Sequence, residues 1–168
     1  MNKQTQFVIN KISETNSKSV LNIGYRYDSD RTIQKFCESN NIEWNVLEIW
    51  EENCKFLKKH NVCQNIYNED VKNIKNINKK VDAIIWLHGP EHINFSDFLN
   101  IRNDIENRAN KLVIYQAPEG YYHQDELYNN PFEKHVETLN QKMFSDLNYN
   151  TNNFCQYDEP TFSAWLLK

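Results

Sequence analysis

Short apolar runs along the chain alternate with segments in which apolar residues recur every three or four positions. Runs of about four to eight apolar residues bounded by polar turns are typical of strands in a buried sheet. Residues 81–87 form the clearest run, because every position after Asp82 is apolar, as expected at the centre of a parallel sheet. The predicted strands of this kind span residues 19–23, 43–49, 64–67, 81–87 and 111–117.

The segments beside these strands have the spacing of amphipathic helices, with apolar residues three or four positions apart. Residues 72–80 are the exception, since they are mostly polar and predict no clear helix. Strands and helices that alternate in this way are typical of a mostly parallel sheet covered on both faces. The predicted helices span about residues 4–14, 31–41, 51–60, 94–109 and 132–147.

The end of the chain changes character, because two strand-like runs at residues 153–157 and 162–167 follow each other closely. Strands so near in sequence pair as an antiparallel hairpin. The sequence contains no internal repeat and no linker, which predicts a single domain over residues 1–168. The expected fold is an α/β, Rossmann-like doubly wound sheet of seven strands, mostly parallel, with an antiparallel C-terminal hairpin and helices on both faces.

The chain has only three glycines, Gly24, Gly89 and Gly120, and each lies just beyond a predicted strand. The carboxyl ends of parallel strands meet at one edge of a sheet, where ligands bind in open α/β folds. Glycine there permits a positive φ and a close approach of the backbone to a ligand. The three positions therefore predict one shared site.

The charge of the chain is mildly acidic, with a formal net charge of -4 and scattered basic residues. A nucleic-acid-binding face would carry a basic stripe, and none is visible in the sequence. The first ten residues are polar and no apolar run approaches the roughly 18 residues of a membrane span, so a cytoplasmic location is expected. Four cysteines without a CxxC pair favour reduced thiols over a zinc site or disulfides.

Three positions, the run VLNIGYRYD at residues 20–28, Glu48 and Asp70, carry a resemblance to the class I S-adenosylmethionine-dependent methyltransferases. The run VLNIGYRYD stands where that family has its glycine-rich cofactor loop. Glu48 follows Gly24 by 24 residues and ends a predicted strand, where the family has an acid that holds both ribose hydroxyls. Asp70, 22 residues further on, stands in the place of the acid near the adenine amino group. The cofactor-binding residues that the resemblance implies are Asn22, Gly24, Tyr25, Glu48, Ile49, Trp50, Asp70, Val71, Leu87 and His88.

The glycine loop departs from the family pattern at three positions. Asn22 replaces the first acid, and Arg26 and Asp28 replace later glycines. An arginine beside a sulfonium cation is unfavourable unless it turns away or pairs with an acid. These departures keep open an alternative, a methyltransferase-fold protein that no longer catalyses and acts as a binding or scaffold subunit. A nicotinamide-dependent oxidoreductase fits less well, because the GxGxxG fingerprint is absent.

The segment WLHGPEHI at residues 86–93 resembles the family segment after the fourth strand, which often contains a Glu-His pair. His92, His88 and Glu91 are therefore the predicted catalytic residues, since a histidine is suited to remove an acceptor proton near neutral pH. The alternative for His92 is a structural role, bonding backbone at a helix start. No metal is predicted from positions 88, 91 and 92, because their spacing fits no helical face.

Residues 117–135 resemble the segment after the fifth strand in bacterial members of the family. Tyr121, Tyr122, His123 and His135 are the predicted acceptor-binding residues; alternatively, the segment is a loop packed on its own side chains. The resemblance implies methyl transfer from S-adenosylmethionine to a small-molecule or sugar-pathway acceptor. The acidic charge argues against nucleic acid as that acceptor. A homodimer or a partner subunit that completes the acceptor site stays open, because the chain is short for this fold.

Overall fold

The computed structural model describes residues 2–156 and 159–168. The apolar runs form strands that pair in one sheet of seven, in the order β3-β2-β1-β4-β5-β7-β6. β1 to β5 are parallel, whereas β7 is antiparallel to both β5 and β6. The strands are β1 Ser19–Ile23, β2 Glu43–Glu48, β3 Asn65–Asn68, β4 Val81–Leu87, β5 Ala109–Pro118, β6 Asn150–Gln156 and β7 Glu159–Leu167. The predicted α/β, doubly wound fold is confirmed.

Helices connect the strands and cover both faces of the sheet. The α-helices are α1 Lys3–Glu14, α2 Thr32–Ser39, α3 Glu51–Lys59, α4 Phe95–Arg108 and α5 Gln141–Ser145. The 3₁₀ turns are Val71–Asn76, Pro90–His92 and Pro131–Glu133. The first of these turns occupies the polar segment for which the sequence predicted no clear helix.

The core consists of two apolar clusters, one on each face of the sheet. On one face α1, α2 and α3 pack through residues such as Ile12, Cys37 and Leu57. On the other face α4, α5 and the 3₁₀ turn after β3 pack around Phe98 and Phe144. Because β1, β4 and β5 contribute side chains to both clusters, their sequences are apolar at successive positions.

The closing hairpin is present, but it is longer than predicted and its link lies at residues 157 and 158, outside the described part of the chain. Glu159 and Pro160, which lie between the two predicted runs, belong to β7, and the predicted strand end at Tyr157 lies outside the described residues. The thiols of Cys37, Cys54 and Cys63 are free.

The predicted helix over residues 132–147 is wrong for most of its length. Besides the short 3₁₀ turn Pro131–Glu133, only α5 is helical there. This helix begins after Asn140, whose backbone is extended and whose side chain accepts from the N–H of Met143. Residues upstream use their backbone elsewhere: the N–H of Val136 donates to Glu91 O, and Leu139 O accepts from Gly120 N. Val136, predicted to be on the buried stripe, is 48% exposed. Its helical spacing relative to Leu139 is a coincidence of sequence.

Candidate functional site

A cavity of about 640 Å³ opens at the carboxyl ends of β1, β2 and β4. β1 pairs with β2 on one side and β4 on the other, so the cavity lies where the strand order reverses. This is the position at which open α/β sheets bind ligands. The predicted residues that line it are Asn22, Gly24, Tyr25, Glu48, Ile49, Asp70, Val71, Leu87, His88, Glu91, His92, Tyr122 and His135.

Gly24 makes the turn from β1 into the cavity wall. Its N–H donates to Leu47 O over 2.8 Å, which extends the pairing of β1 with β2, and its φ is +68°. Side chains other than glycine are strained in this left-handed region. A Cβ added here would lie an ordinary 3.9 Å from Nε1 of Trp86, so the backbone conformation and not the available space requires glycine.

The other two glycines serve different purposes. A Cβ on Gly89 would lie 1.9 Å from Nε1 of Trp86, so this glycine makes room for the indole that floors the cavity. Gly120 has a φ of +88°, but it lies away from the cavity and its N–H donates to Leu139 O. The shared site predicted from three glycines therefore contains two of them.

Glu48 supplies a buried carboxylate at the end of β2. It is 5% exposed, lines the cavity, and its Oε1 accepts from the N–H of Trp50 over 2.8 Å. Burial raises the pKa of Glu48 to about 7, against the lowering effect of the bond from Trp50. A carboxylate has more acceptor sites than this bond uses, so it can accept from two hydroxyl groups of a ligand.

Asn22 is the second-to-last residue of β1 and lines the same cavity. It is 5% exposed, and its Oδ1 has no hydrogen-bond partner among the described residues. An unpartnered buried carbonyl oxygen costs free energy unless a donor reaches it. The side chain is therefore available to a donor group of a ligand.

Asp70 is placed at the cavity but has a local role as well. Its side chain accepts from the N–H of Lys72 over 2.9 Å and so caps the 3₁₀ turn Val71–Asn76. This is the turn role that an aspartate after a strand often has. Its proximity to a bound adenine stays a prediction.

The arginine of the degenerate loop is paired. Nε of Arg26 lies 2.6 Å from Asp28 and Nη1 lies 3.1 Å from Glu133, and the guanidinium also lies over the ring of Tyr128. Glu133 belongs to the loop after β5, so the pair joins the two loops across the cavity mouth. The two acids offset the charge that would otherwise repel a cationic ligand.

His88, Glu91 and His92 follow β4 as predicted, and the structure brings them together. His88 has a φ of +50° and its Nδ1 lies 3.8 Å from Glu91 Oε1. Glu91 is 2% exposed, and burial raises its pKa to about 8. Nδ1 of His92 lies 3.1 Å from Lys134 O and Nε2 lies 3.1 Å from His88 O, contacts of the kind expected for the structural alternative.

His135 reaches this group from the loop after β5. Its Nδ1 donates to Tyr122 O over 2.8 Å, and its Nε2 faces Glu91 Oε1 at 3.8 Å. Burial lowers the pKa of His135, which favours the neutral form of the ring. The loop is tied down by two bonds to Glu91 O, from the N–H groups of Val136 and Glu137.

Three predicted residues do not line the cavity: Trp50, Tyr121 and His123. Trp50 precedes α3 and directs its backbone N–H to Glu48, while its ring lies outside the lining. Tyr121 is 79% exposed and stacks on His123 in the solvent-facing part of the loop. The structure thus separates these two from Tyr122 and His135, their near neighbours in sequence.

Several lining residues were not predicted. The first turn of α1 closes the cavity with Asn2, Gln4 and Thr5, and Gln4 hydrogen-bonds to Thr161 of β7. Glu133 and Gln116 also reach it. Polar residues on the first turn of a helix give no signal of their own, because such positions are usually solvated.

None of the helices in the part of the chain that the structure covers is both long and apolar enough to cross a membrane.

No family model and no curated protein matches the chain. Solved structures do match. A SAM-dependent methyltransferase from Archaeoglobus fulgidus is 13% identical, with 98% of this chain and 94% of that chain covered and a TM-score of 0.68. One from Clostridium acetobutylicum is 12% identical, with 100% and 92% covered and a TM-score of 0.69.

The plantazolicin methyltransferase BpumL, solved in complex with SAH, is 12% identical, with 98% of this chain and 81% of that chain covered and a TM-score of 0.71. At such identities the likeness concerns the fold. The sheet order, the antiparallel last strands and the cavity position agree with it. The chain therefore has the fold of the class I S-adenosylmethionine-dependent methyltransferases.

Proposed function

We propose that the chain is an S-adenosylmethionine-dependent methyltransferase that acts on a small-molecule or sugar-pathway acceptor. The observation that carries the proposal is Glu48: a buried carboxylate at the end of β2, facing a cavity at the point where the strand order reverses. Its desolvation is offset when ligand hydroxyls donate to it, as the two ribose hydroxyls of this cofactor can.

The rest of the cavity fits the same cofactor. The Gly24 turn lets the backbone approach closely, and the unpartnered Oδ1 of Asn22 can accept from the ammonium group of the methionine part. A volume of about 640 Å³ lies within the range of pockets that enclose ligands of this size together with a small acceptor. When bound, the cofactor supplies an electrophilic methyl group on a sulfonium.

The residues after β4 and β5 are the candidates for the acceptor side. His88 stands half exposed at the cavity mouth, with Glu91 3.8 Å from its Nδ1, and is suited to take the proton of an acceptor hydroxyl or amine. Tyr122 and His135 line the neighbouring wall. Most of the rate enhancement would come from holding the acceptor in line with the departing sulfur.

The acceptor class is proposed on two grounds. The cavity is bounded by the first turn of α1 and by the loop after β5, and its lining includes the acids Glu48, Glu69 and Glu133, which disfavour a polyanionic acceptor. The fold neighbours include two plantazolicin methyltransferases, one of them in complex with a triazolic desmethylPZN analog. We therefore favour a small acceptor over tRNA or DNA.

A second candidate function is a binding or scaffold protein that keeps this fold without catalysis. Asn22 and Arg26 favour it, because a neutral amide and a cation stand where the family has an acid and a glycine. The pairing of Arg26 with Asp28 and Glu133 removes part of that objection to cofactor binding.

Thermal melting with and without S-adenosylmethionine, and with its demethylated product, separates the two functions. We expect a rise in melting temperature, since ligand at 100 times its Kd adds about 2.7 kcal/mol to stability. Glu48→Ala should abolish the rise. Glu52→Ala is the matched control, because Glu52 is an exposed glutamate on α3 outside the cavity and should leave the rise intact.

A wild-type protein whose melting temperature is unmoved at millimolar ligand would favour the scaffold function. A shift that survives in Glu48→Ala would remove Glu48 from the site while leaving cofactor binding in place.

A further inference from the structure

Three side chains of the types that bind metal ions come from two distant segments and lie close together at the cavity wall. Glu91 and His92 belong to the turn after β4, and His135 comes from the loop after β5, 43 residues beyond His92. One ligand atom from each lies within 4.8 Å of the others. Two atoms bound tetrahedrally to one metal at about 2.1 Å are roughly 3.4 Å apart. Side-chain movements of up to about 1.4 Å therefore bring the three ligand atoms to binding distance.

The carboxylate of Glu91 is the group that most needs a cation. It is 2% exposed, and neither of its oxygens has a hydrogen-bond partner among the described residues. A buried carboxylate without a partner is strongly unfavourable. The atoms that face it are the Nδ1 of His88 and the Nε2 of His135, each at 3.8 Å and so beyond hydrogen-bond distance.

The ring of His135 is already oriented as a ligand. Its Nδ1–H donates to Tyr122 O over 2.8 Å, which leaves the lone pair on Nε2 directed toward Glu91. Metal-ligating histidines typically donate their other ring N–H to a backbone carbonyl in this way, which fixes the tautomer and the ring plane.

His92 has a carbonyl oxygen at each ring nitrogen, and a neutral ring can donate a hydrogen bond to only one of them. Its Nδ1 and its Nε2 each lie 3.1 Å from a backbone carbonyl oxygen, of Lys134 and of His88. A neutral imidazole has one N–H, so only one of these contacts can be a hydrogen bond. At the other nitrogen a lone pair faces a lone pair, and a cation there removes the repulsion.

The backbone holds the two segments in register. The N–H groups of Val136 and Glu137 donate to Glu91 O, at 3.0 Å and 3.1 Å, and the N–H of His135 donates to Gln124 O. The ligands are thus positioned by main-chain bonds that do not depend on the ion.

We propose that Glu91, His92 and His135 bind a divalent transition-metal cation. Two imidazoles and one carboxylate favour ions such as Zn²⁺, Mn²⁺, Fe²⁺ or Co²⁺ over Mg²⁺ and Ca²⁺, which prefer oxygen ligands. Three protein ligands leave coordination positions open, as in catalytic sites. All three residues line the cavity, so these positions are accessible to a ligand there. Metal binding at this site does not depend on the proposed methyl transfer. A role of the ion in polarising an oxygen of the methyl acceptor would rest on the proposed function.

The test uses untagged, EDTA-treated full-length protein without S-adenosylmethionine. Co²⁺ is titrated while visible absorption is recorded, and Zn²⁺ and Mg²⁺ are titrated by calorimetry. We expect one equivalent of Co²⁺ with d–d absorption bands, displacement by Zn²⁺, and no heat from Mg²⁺ at the same concentrations. Glu91→Gln and His135→Gln should each weaken Co²⁺ binding by roughly tenfold or more.

His123→Gln is the matched control, since His123 lies in the same loop, is exposed, and is outside the cavity. Circular dichroism shows whether each variant is folded, and His135→Gln, on a partly exposed loop residue, provides the test if Glu91→Gln does not fold. The proposed metal site would be wrong if His123→Gln lost Co²⁺ binding as fully as the other variants do. It would also be wrong if both Glu91→Gln and His135→Gln kept Co²⁺ binding. The absence of stoichiometric Co²⁺ binding to the wild-type protein would overturn the site as well.

Discussion

At the scale of single residues, Glu48 has an unusual position, because its carboxylate is buried at the end of a strand. The N–H of Trp50, the side chain of Asn53 and the N–H of Tyr25 favour its charged form, but burial outweighs them. A surface glutamate would be ionised at neutral pH at no cost. Here desolvation raises the pKa of Glu48 from 4.5 to about 7, so the empty protein is under electrostatic strain at physiological pH. This strain is what a hydroxyl-bearing ligand can relieve.

The raised pKa of Glu48 predicts how stability depends on pH. Between about pH 4.5 and pH 7 the folded protein keeps a proton that the unfolded chain releases, so the contribution of Glu48 to the free energy of unfolding falls as the pH rises through this window. The pKa rises by about 2.5, so at about 1.4 kcal/mol per pKa unit the loss approaches about 3.5 kcal/mol. Glu48→Gln should therefore be more stable than wild type at pH 8 but not at pH 4.5. Urea unfolding at both values measures this, and parallel profiles for the two proteins would contradict it.

The glycines give a second prediction, on conformation and space. Gly24→Ala should cost about 1 kcal/mol, because the Cβ fits but the φ of +68° is strained for alanine. Gly89→Ala should cost more, roughly 3 kcal/mol. The new Cβ would lie 1.9 Å from Nε1 of Trp86, so the indole must move away. Denaturant unfolding of the two variants measures the order. Equal costs would show that Trp86 yields without strain.

At the scale of elements, the loop after β5 does more than connect. It supplies His135 to the cavity, pairs Glu133 with Arg26, and binds backbone to Glu91 O. It also supplies a cap for α4: the side chain of Asn94, the residue before that helix, makes no capping bond, and Oε2 of Glu137 accepts from the N–H of Phe95 over 2.8 Å.

Removing this cap should destabilise the protein. Glu137→Ala is expected to lower the free energy of unfolding by about 1 kcal/mol, because an orphan N–H at the start of α4 loses its acceptor and its favourable charge. Glu137→Gln should cost less, since an amide oxygen can still accept. Thermal melting measures both, with Glu126→Ala in the exposed part of the same loop as the control. If Glu137→Gln lost as much stability as Glu137→Ala, the charge of Glu137 and not its hydrogen bond would account for the effect.

At the scale of the whole molecule, the fold brings the end of β1, the end of β2 and the turn after β3 to one cavity. If ribose hydroxyls donate to Glu48 there, they favour its charged form, so the pKa of Glu48 in the complex lies below the value of about 7 in the empty protein. Binding is then linked to loss of a proton.

The affinity for S-adenosylmethionine should accordingly rise as the pH increases from about 5 to 8. In Glu48→Gln the same dependence should be absent, and the two proteins should differ least at low pH. Calorimetric titration at several pH values measures the dissociation constants. A wild-type affinity that is flat over this range, with binding intact, would contradict a direct contact between Glu48 and the cofactor hydroxyls.

The sheet and most of its helices were predictable because their signals are local. The run at Val81–Leu87 is buried on both faces of the sheet, and this burial explains why every position after Asp82 is apolar. Glu48 and Gly24 were predictable for a related reason, since a strand end followed by a glycine or an acid marks the carboxyl edge of a parallel sheet. The segment at residues 132–147 misled because its apolar spacing is helical by coincidence, while its backbone groups bond to Glu91 and Gly120.

Residue spacing along the chain was enough to predict the buried strands, the closing hairpin and the edge of the sheet at which the cavity lies, because each of these follows from neighbouring residues. Which side chains share the cavity depends instead on contacts between distant segments. The tertiary structure brought His135 to Glu91 and His92, closed the cavity with Gln4 of α1, and left Trp50 and Tyr121 outside it. These encounters join residues far apart in the chain through loop backbone bonds, and no local pattern records where a loop will fold back.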